Sequence, residues 1–341
     1  MTGPPRANFR HLVSLSEPLG TFEHAEFARP RREHGYCTDD VARVLLVTVR
    51  EPDAPNELRE LARRSLNFLR SAQARDGTVR NRRGANGVFI GSSSNCDWWG
   101  RTQWALGTAA ARASDESLRR DALTHFTVGC QVESPWPRAN AFAVLGAAEV
   151  LRTSPNHEGA TSLITQALRV IDRPVISAEW SWPEPRLTYA NAVLAEALLA
   201  AGDVFETPLL VEQGLEQLSW LLTRWSAMGH LSVVAAGGDE AATHVVAFDQ
   251  QPIEVAALGE ACARALALTG DQRWRVGLDL ATRWFCGEND GGVVMFDSVT
   301  GGGYDGLTAS GANLNQGAES TLAMLATFQH AHASSVAPAR A

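Results

Sequence analysis

The sequence predicts an all-α fold, an (α/α)6 toroid of six helical hairpins with short β-hairpins in the loops at one face. Three observations predict it. Two kinds of helical segment alternate along the 341 residues, one amphipathic and one apolar nearly all round. The apolar kind occurs six times. The links are short on one side of these segments and long on the other, and long loops gathered on one side of a scaffold usually carry function.

The stretch around 9–16 supplies the first outer helix, and the first apolar segment follows at 41–49. The next outer helix, 56–74, shows the amphipathic pattern clearly. Leu58, Leu61, Ala62, Ser65, Leu66 and Leu69 recur at a spacing of three and four, with Arg and Glu between them. Similar stripes run through about 115–130, 158–172, 208–225 and 272–285, and each has one wet face. The remaining apolar, alanine-rich segments are 104–111, 139–151, 192–201, 255–268 and 320–328. A helix without a polar face must be covered by protein on all sides, so these are inner helices.

Inner-to-outer links carry ordinary turn chemistry, as in Glu51-Pro52-Asp53, Ser154-Pro155-Asn156 and Gly270-Asp271. Outer-to-inner links are the long ones: 75–97, 131–138, 173–188, 226–250 and 287–316. Two of them read as β-hairpins, around 78–90 and 293–305. A split into two helical domains near 173–188 is the alternative, but the alternation is regular on both sides of it. One domain over 1–341 is expected, with about 333–341 a frayed tail.

Composition narrows the function. No apolar run approaches the roughly 20 residues of a membrane span. The first residues lack the charged start and apolar stretch of a secretory signal, so a cytoplasmic protein is expected. Five cysteines are scattered without CxxC spacing and read as reduced thiols. No HxxEH-type pair suggests a metal, and neither a metal nor a cofactor is expected. The net charge of −8, without basic tracts, argues against a nucleic-acid partner.

A polar cluster stands at or before each inner helix. In order they hold His34, Tyr36, Asp39 and Asp40; Asp97, Trp98, Trp99 and Arg101; Trp136, Arg138 and Asn140; Trp180, Trp182 and Glu184, continuing to Tyr189 and Asn191; Asp249, Gln250, Gln251 and Glu254; and Asn315, Gln316 and Glu319. Tyr304 and Asp305 lie in a glycine-rich loop ahead of the last. In a toroid these starts converge on one mouth lined by carboxylates, amides and indoles. That chemistry suits a sugar, because indoles stack on its C–H faces while carboxylates and amides fork onto its hydroxyls.

Cleaving a glycosidic bond needs one protonated and one ionised carboxyl group. Asp39 and Asp40 sit in a first helical turn, where the helix end lowers a carboxyl pKa, and suit the ionised role of base or hydroxyl anchor. Glu254 and Glu319, one turn into inner helices, and Glu184 are candidates for the protonated acid. Structural roles stand beside these: capping for one aspartate, a salt bridge for Asp97 and Arg101, core packing for one of Trp180 and Trp182, and interhelical ties for Glu254 and Glu319.

The strings His34-Gly-Tyr-Cys-Thr-Asp-Asp40, Tyr189-Ala-Asn191, Phe248-Asp-Gln-Gln-Pro-Ile-Glu254, Gly303-Tyr-Asp-Gly306 and Asn315-Gln-Gly-Ala-Glu-Ser-Thr321 resemble a bacterial family of six-hairpin, glycosidase-like proteins. That family is similar to domains that occur with glycosyltransferases and near enzymes of mannoside metabolism. The resemblance implies an (α/α)6 fold and activity on carbohydrate. The chain departs from it at Val41 and Ala190, where the family pattern has asparagine and aspartate. An aspartate with a catalytic role at 190 would here be lost.

The leading expectation is a glycoside hydrolase acting on an oligosaccharide, mannose-containing ones first, with a functional link to a glycosyltransferase. Two alternatives accompany it. A sugar isomerase or epimerase would use His34 and His244 as acid and base. A non-catalytic glycan-binding or glycosyltransferase-accessory module would bind without turnover.

Overall fold

The computed structural model describes residues 3–240 and 244–336. Among the described residues twelve α-helices follow one another: α1 (Arg10–Ser14), α2 (Thr38–Arg50), α3 (Asn56–Ala72), α4 (Asp97–Arg112), α5 (Glu116–Gly129), α6 (Pro137–Thr153), α7 (Glu158–Ile171), α8 (Val193–Val204), α9 (Pro208–Ser226), α10 (Pro252–Thr269), α11 (Gln272–Phe285) and α12 (Ala318–Val336). The even-numbered helices pack side by side in a closed ring, α12 returning to α2, and the odd-numbered ones pack around them. This is the (α/α)6 toroid. The apolar segments form the ring because they have no polar face: every residue of α6 from Arg138 to Leu151 is buried, with Arg138, Asn140 and Glu149 all partnered. The outer helix α3 buries the stripe Leu58, Leu61, Ala62, Ser65, Leu66 and Leu69 and leaves its charges outside.

Helix ends follow local chemistry. Asp115 caps α5 by accepting from the backbone N–H of Ser117 and Leu118, and Asp271 caps α11 by accepting from that of Arg273. α6, α9 and α10 open on proline, and α10 stops at the left-handed Gly270. The ring is tightest between α4 and α6, where a Cβ added at Gly107 would lie 2.2 Å from the Gly146 carbonyl oxygen.

The hairpin expected near 78–90 is present: Arg82–Arg83 pairs antiparallel with Phe89–Ile90, and Tyr36–Cys37 adds a third strand that sets Cys37 opposite Arg82. The second hairpin falls later than expected. Around 293–305 there is one bridge, Phe296 to Gly303, while the ladder joins Gly306–Thr308 to Gly311–Asn313. The glycine run serves close approach: a Cβ at Gly303 would lie 2.5 Å from the Ser320 carbonyl oxygen of α12. Of the stretch 333–341 expected as a frayed tail, 333–336 belong to α12, and 337–341 lie outside the described residues. Among the described residues no helix is long and apolar enough to cross a membrane.

Inside the ring, below the inner-helix starts, charges are paired across helices. Arg50 donates to Glu260 at 2.5 Å, Arg264 to Glu196 at 3.0 Å and Arg112 to Glu149 through two bonds. The His330 ring lies 3.4 Å from Glu260.

Candidate active site

All six inner-helix starts line one cavity of about 830 Å3. Asp39, Asp40 and Arg43 come from α2, Asp97 and Trp98 from α4, Trp136 and Arg138 from the start of α6, and Tyr189 from the approach to α8. Asp249 and Gln251 precede α10, and Glu319 opens α12. Asp305 enters from the glycine-rich loop, and Glu23, His24, Asn81 and Arg82 from the N-terminal segment and first hairpin. Trp136 stands at the rim with 53% of its surface exposed. A larger depression of about 1610 Å3 crosses the outer helix α9, away from these starts.

Arg43 organises the floor. Its two terminal nitrogens donate to different carboxylates, one to Asp40 at 2.6 Å and the other to Glu319 at 2.7 Å. The second also reaches the Tyr189 hydroxyl at 3.2 Å. Arg101, buried beneath with its guanidinium 3.9 Å above the Phe142 ring, donates to the same hydroxyl and lies 3.5 Å from Asp39. Arg101 therefore pairs with Asp39 rather than with Asp97 one turn before it. Arg82 is bonded to Glu23.

Neither aspartate of the tandem pair caps α2, whose N-cap is Cys37 and has no side-chain cap bond. Their acidity also departs from the sequence expectation. Burial pushes both carboxyl groups up, Asp40 to about 7, against the pull of Arg43, with Glu319 adding a like-charge push. Desolvation outweighs the helix-end effect here. Burial likewise raises Asp97 and Asp305.

Of the other sequence-derived acids, Glu319 lines the cavity with its side chain 39% exposed. Glu184 does not line it and is bound by Arg138 at 2.5 Å. Glu254 is buried behind the wall, accepting from the Ala190 and Asn191 backbone N–H groups and from the Asn191 amide at 2.8 Å. Burial raises its pKa as expected, but it is not among the residues that line the cavity.

Several binding candidates also lie off the cavity. Tyr36 is core, stacked on Phe22 and donating to Glu17. Trp99 is core and donates to the Gly129 carbonyl. Both Trp180 and Trp182 are buried against Trp220. Asn140 donates to the Ser134 and Trp136 carbonyls, fixing the loop that presents Trp136. Asn191 joins Arg138 to Glu254. Gln250 donates to Asp290, Gln316 accepts from Thr300, and Asn315 accepts from the Phe27 backbone. Tyr304 is half-buried against the core.

His34 packs edge-on against His24 outside the cavity, and His244 lies near Ser232 and lines the α9 depression. The two histidines of the isomerase alternative therefore do not face each other across the mouth. Val41 and Ala190 are buried and do not line the cavity either.

Arg43 could be found from spacing alone, standing three and four residues after the aspartates on one helix face. Glu23 and Arg82 could not, because tertiary folding brings their segments to the mouth. Among the described residues one trio has metal-ligand spacing, Glu23, Cys37 and Asp40 with ligand atoms within 4.8 Å of one another. Arg82 and Arg43 already hold its carboxylates.

No protein-family model and no curated protein sequence matches the chain. Solved structures do resemble it. A sugar epimerase from a ruminal bacterium aligns with a TM-score of 0.71 at 12% identity over 95% of each chain. Cellobiose 2-epimerase from Spirochaeta thermophila aligns with a TM-score of 0.65 at 12% identity, covering 94% of this chain and 92% of that one. A metagenome-derived glycoside hydrolase family 9 endoglucanase aligns with a TM-score of 0.61 at 13% identity, covering 92% of this chain and 70% of that one. At these identities the likeness is one of fold.

Proposed function

We propose that the chain is a carbohydrate-active enzyme, and specifically a glycoside hydrolase that cleaves an oligosaccharide with Asp40 as general acid and Glu319 as its ionised partner. One observation carries the reading. A single guanidinium holds these two carboxyl groups at the bottom of a cavity, one buried with its pKa near 7 and the other open to solvent. Two carboxyls separated in environment are what acid-assisted departure and carboxylate-assisted attack require. Trp136 and Trp98 offer faces for sugar rings, and the volume suits a ligand of a few rings.

The neighbours of this fold include epimerases and an isomerase as well as hydrolases. A histidine acid–base pair would favour epimerisation, and the lining supplies one histidine, His24, among the described residues. The test incubates the protein with a panel of manno- and gluco-oligosaccharides and follows products by NMR. New reducing ends that disappear in Asp40→Asn and Glu319→Gln support the reading. Hydrolysis persisting in both, or epimerised sugar without cleavage, overturns it.

A further inference from the structure

The chain enters α8 through an unusual turn. Ala190 has φ of +44°, in the left-handed region, although it carries a Cβ. That conformation is strained for such a residue and persists only where the surroundings impose it. Here they do. Glu254, 3% exposed in the first turn of α10, accepts the N–H of Ala190, the N–H of Asn191 and the Asn191 amide. From the other side Arg138 donates to the Tyr189 carbonyl at 2.8 Å and to the Asn191 side chain at 3.1 Å.

The residue delivered by this clamp is Tyr189, which lines the cavity. Its phenol oxygen accepts from both Arg43 and Arg101. With those lone pairs engaged, the hydroxyl proton remains to be donated, and among the described residues the hydroxyl donates no hydrogen bond. We propose that Tyr189 donates this hydrogen bond to a sugar oxygen, and that Glu254 is the positioning residue that aims the phenol through the left-handed Ala190 turn. The identity of the ligand rests on the glycosidase reading. The role of Glu254 does not.

The chain has three tyrosines, so labelling tyrosine at Cζ with carbon-13 gives three NMR signals, assigned with Tyr→Phe variants. Glu254→Gln is close to isosteric but turns an amide NH2 toward N–H donors. It is expected to move the Tyr189 signal while leaving Tyr36 and Tyr304 in place, and to weaken binding of mannobiose about tenfold. Adding Ala190→Gly should restore both, because glycine holds a positive φ without the clamp. A folded Glu254→Gln protein with an unmoved Tyr189 signal overturns the positioning role, as does failure of Ala190→Gly to restore it. If Glu254→Gln does not fold, Glu254→Asp, which keeps the charge but withdraws it by one methylene, is judged by the same signals. Binding of mannobiose without cleavage of any oligosaccharide of the panel would sink the glycosidase reading alone. A wild-type protein that binds none of the oligosaccharide panel would overturn the sugar contact of Tyr189, while the NMR signals still decide the role of Glu254.

Discussion

Burial holds the Asp40 carboxyl at about 7, so replacing it by asparagine has a pH signature that an aspartate ionised throughout would not give. In the unfolded chain the group titrates near 3.8, so between 3.8 and about 7 the folded state binds a proton that the unfolded state has lost. Wild-type stability therefore falls as pH rises through that window and is lowest above it. Each pH unit is worth about 1.4 kcal/mol, so the whole cost approaches about 4 kcal/mol. The Asp40→Asn variant has no such cost, and its amide resembles the protonated acid in shape and bonding. Any imperfection in that resemblance is the same at all pH values and cancels when two are compared. From pH 5 to pH 8 the stability of Asp40→Asn relative to wild type should rise by about 3 kcal/mol, the part of the cost lying above pH 5. An unfolding entropy of about 2.1 cal/mol/K per residue gives about 0.7 kcal/mol/K for this length, so the gain appears as about 4 °C in relative Tm. Thermal scans of both proteins at pH 5 and pH 8 measure it. A relative Tm that is unchanged between the two, or that falls with rising pH, would show an aspartate ionised throughout and would remove it as general acid.

Three other outcomes follow from the packing and the charge pairs. Arg43→Met leaves Asp40 and Glu319 without their shared partner and should cost about 3–5 kcal/mol in urea unfolding, with Arg43→Lys recovering only part because an ammonium cannot hold both as a fork does. Gly107→Ala forces a methyl group into the α4–α6 contact and should lower stability by about 1–3 kcal/mol; an unchanged unfolding midpoint would contradict the close approach. Glu149 is buried, which alone would raise its pKa, yet Arg112 and its neighbours hold it at about 2 against 4.5 ordinarily. The stabilisation is present above pH 4.5 and lost as pH falls toward 2. Glu149→Gln should therefore lose about 3 kcal/mol at pH 7 and close the gap to wild type near pH 2 in acid titration.

The toroid was legible because its inner helices are apolar on every side, a pattern that only complete burial explains. The meeting of six helix starts at one cavity follows from that arrangement, and it brought Asp39, Asp40, Asp97, Tyr189, Asp249 and Glu319 to the lining. Less legible was which member of a pair faces inward. Trp98 lines the cavity and Trp99 the core, since neighbours on a helix diverge by about 100° and a sequence does not mark the zero. The acidity of the aspartates reversed for a different reason. Helix-end effects belong to a segment, whereas desolvation belongs to the assembled molecule, and at Asp40 the second is larger. Glu254 shows the same limit from the other side: its type and position suggested chemistry, and its three bonds to one turn appear only once α8 and α10 are adjacent.

The two ends of the ring show where selection for stability stops. Below the mouth Arg50, Arg112 and Arg264 each meet a glutamate across a helix contact, and the pairing holds Glu149 low despite burial. At the mouth seven carboxyl groups and three guanidiniums line the cavity, with Arg101 beneath as a fourth, and burial raises Asp39, Asp40, Asp97 and Asp305 together. The same residue types on the same helices thus give one arginine for each glutamate in one place and more carboxyl groups than guanidiniums in the other. A fold gains nothing from the second arrangement, since each buried like charge lowers stability. On the proposed hydrolase reading, what gains is a reaction that needs a carboxyl able to release its proton near neutrality and a negative surround in which positive charge can develop on a departing sugar. The cost that Asp40→Asn should relieve is, on this view, the cost of that site.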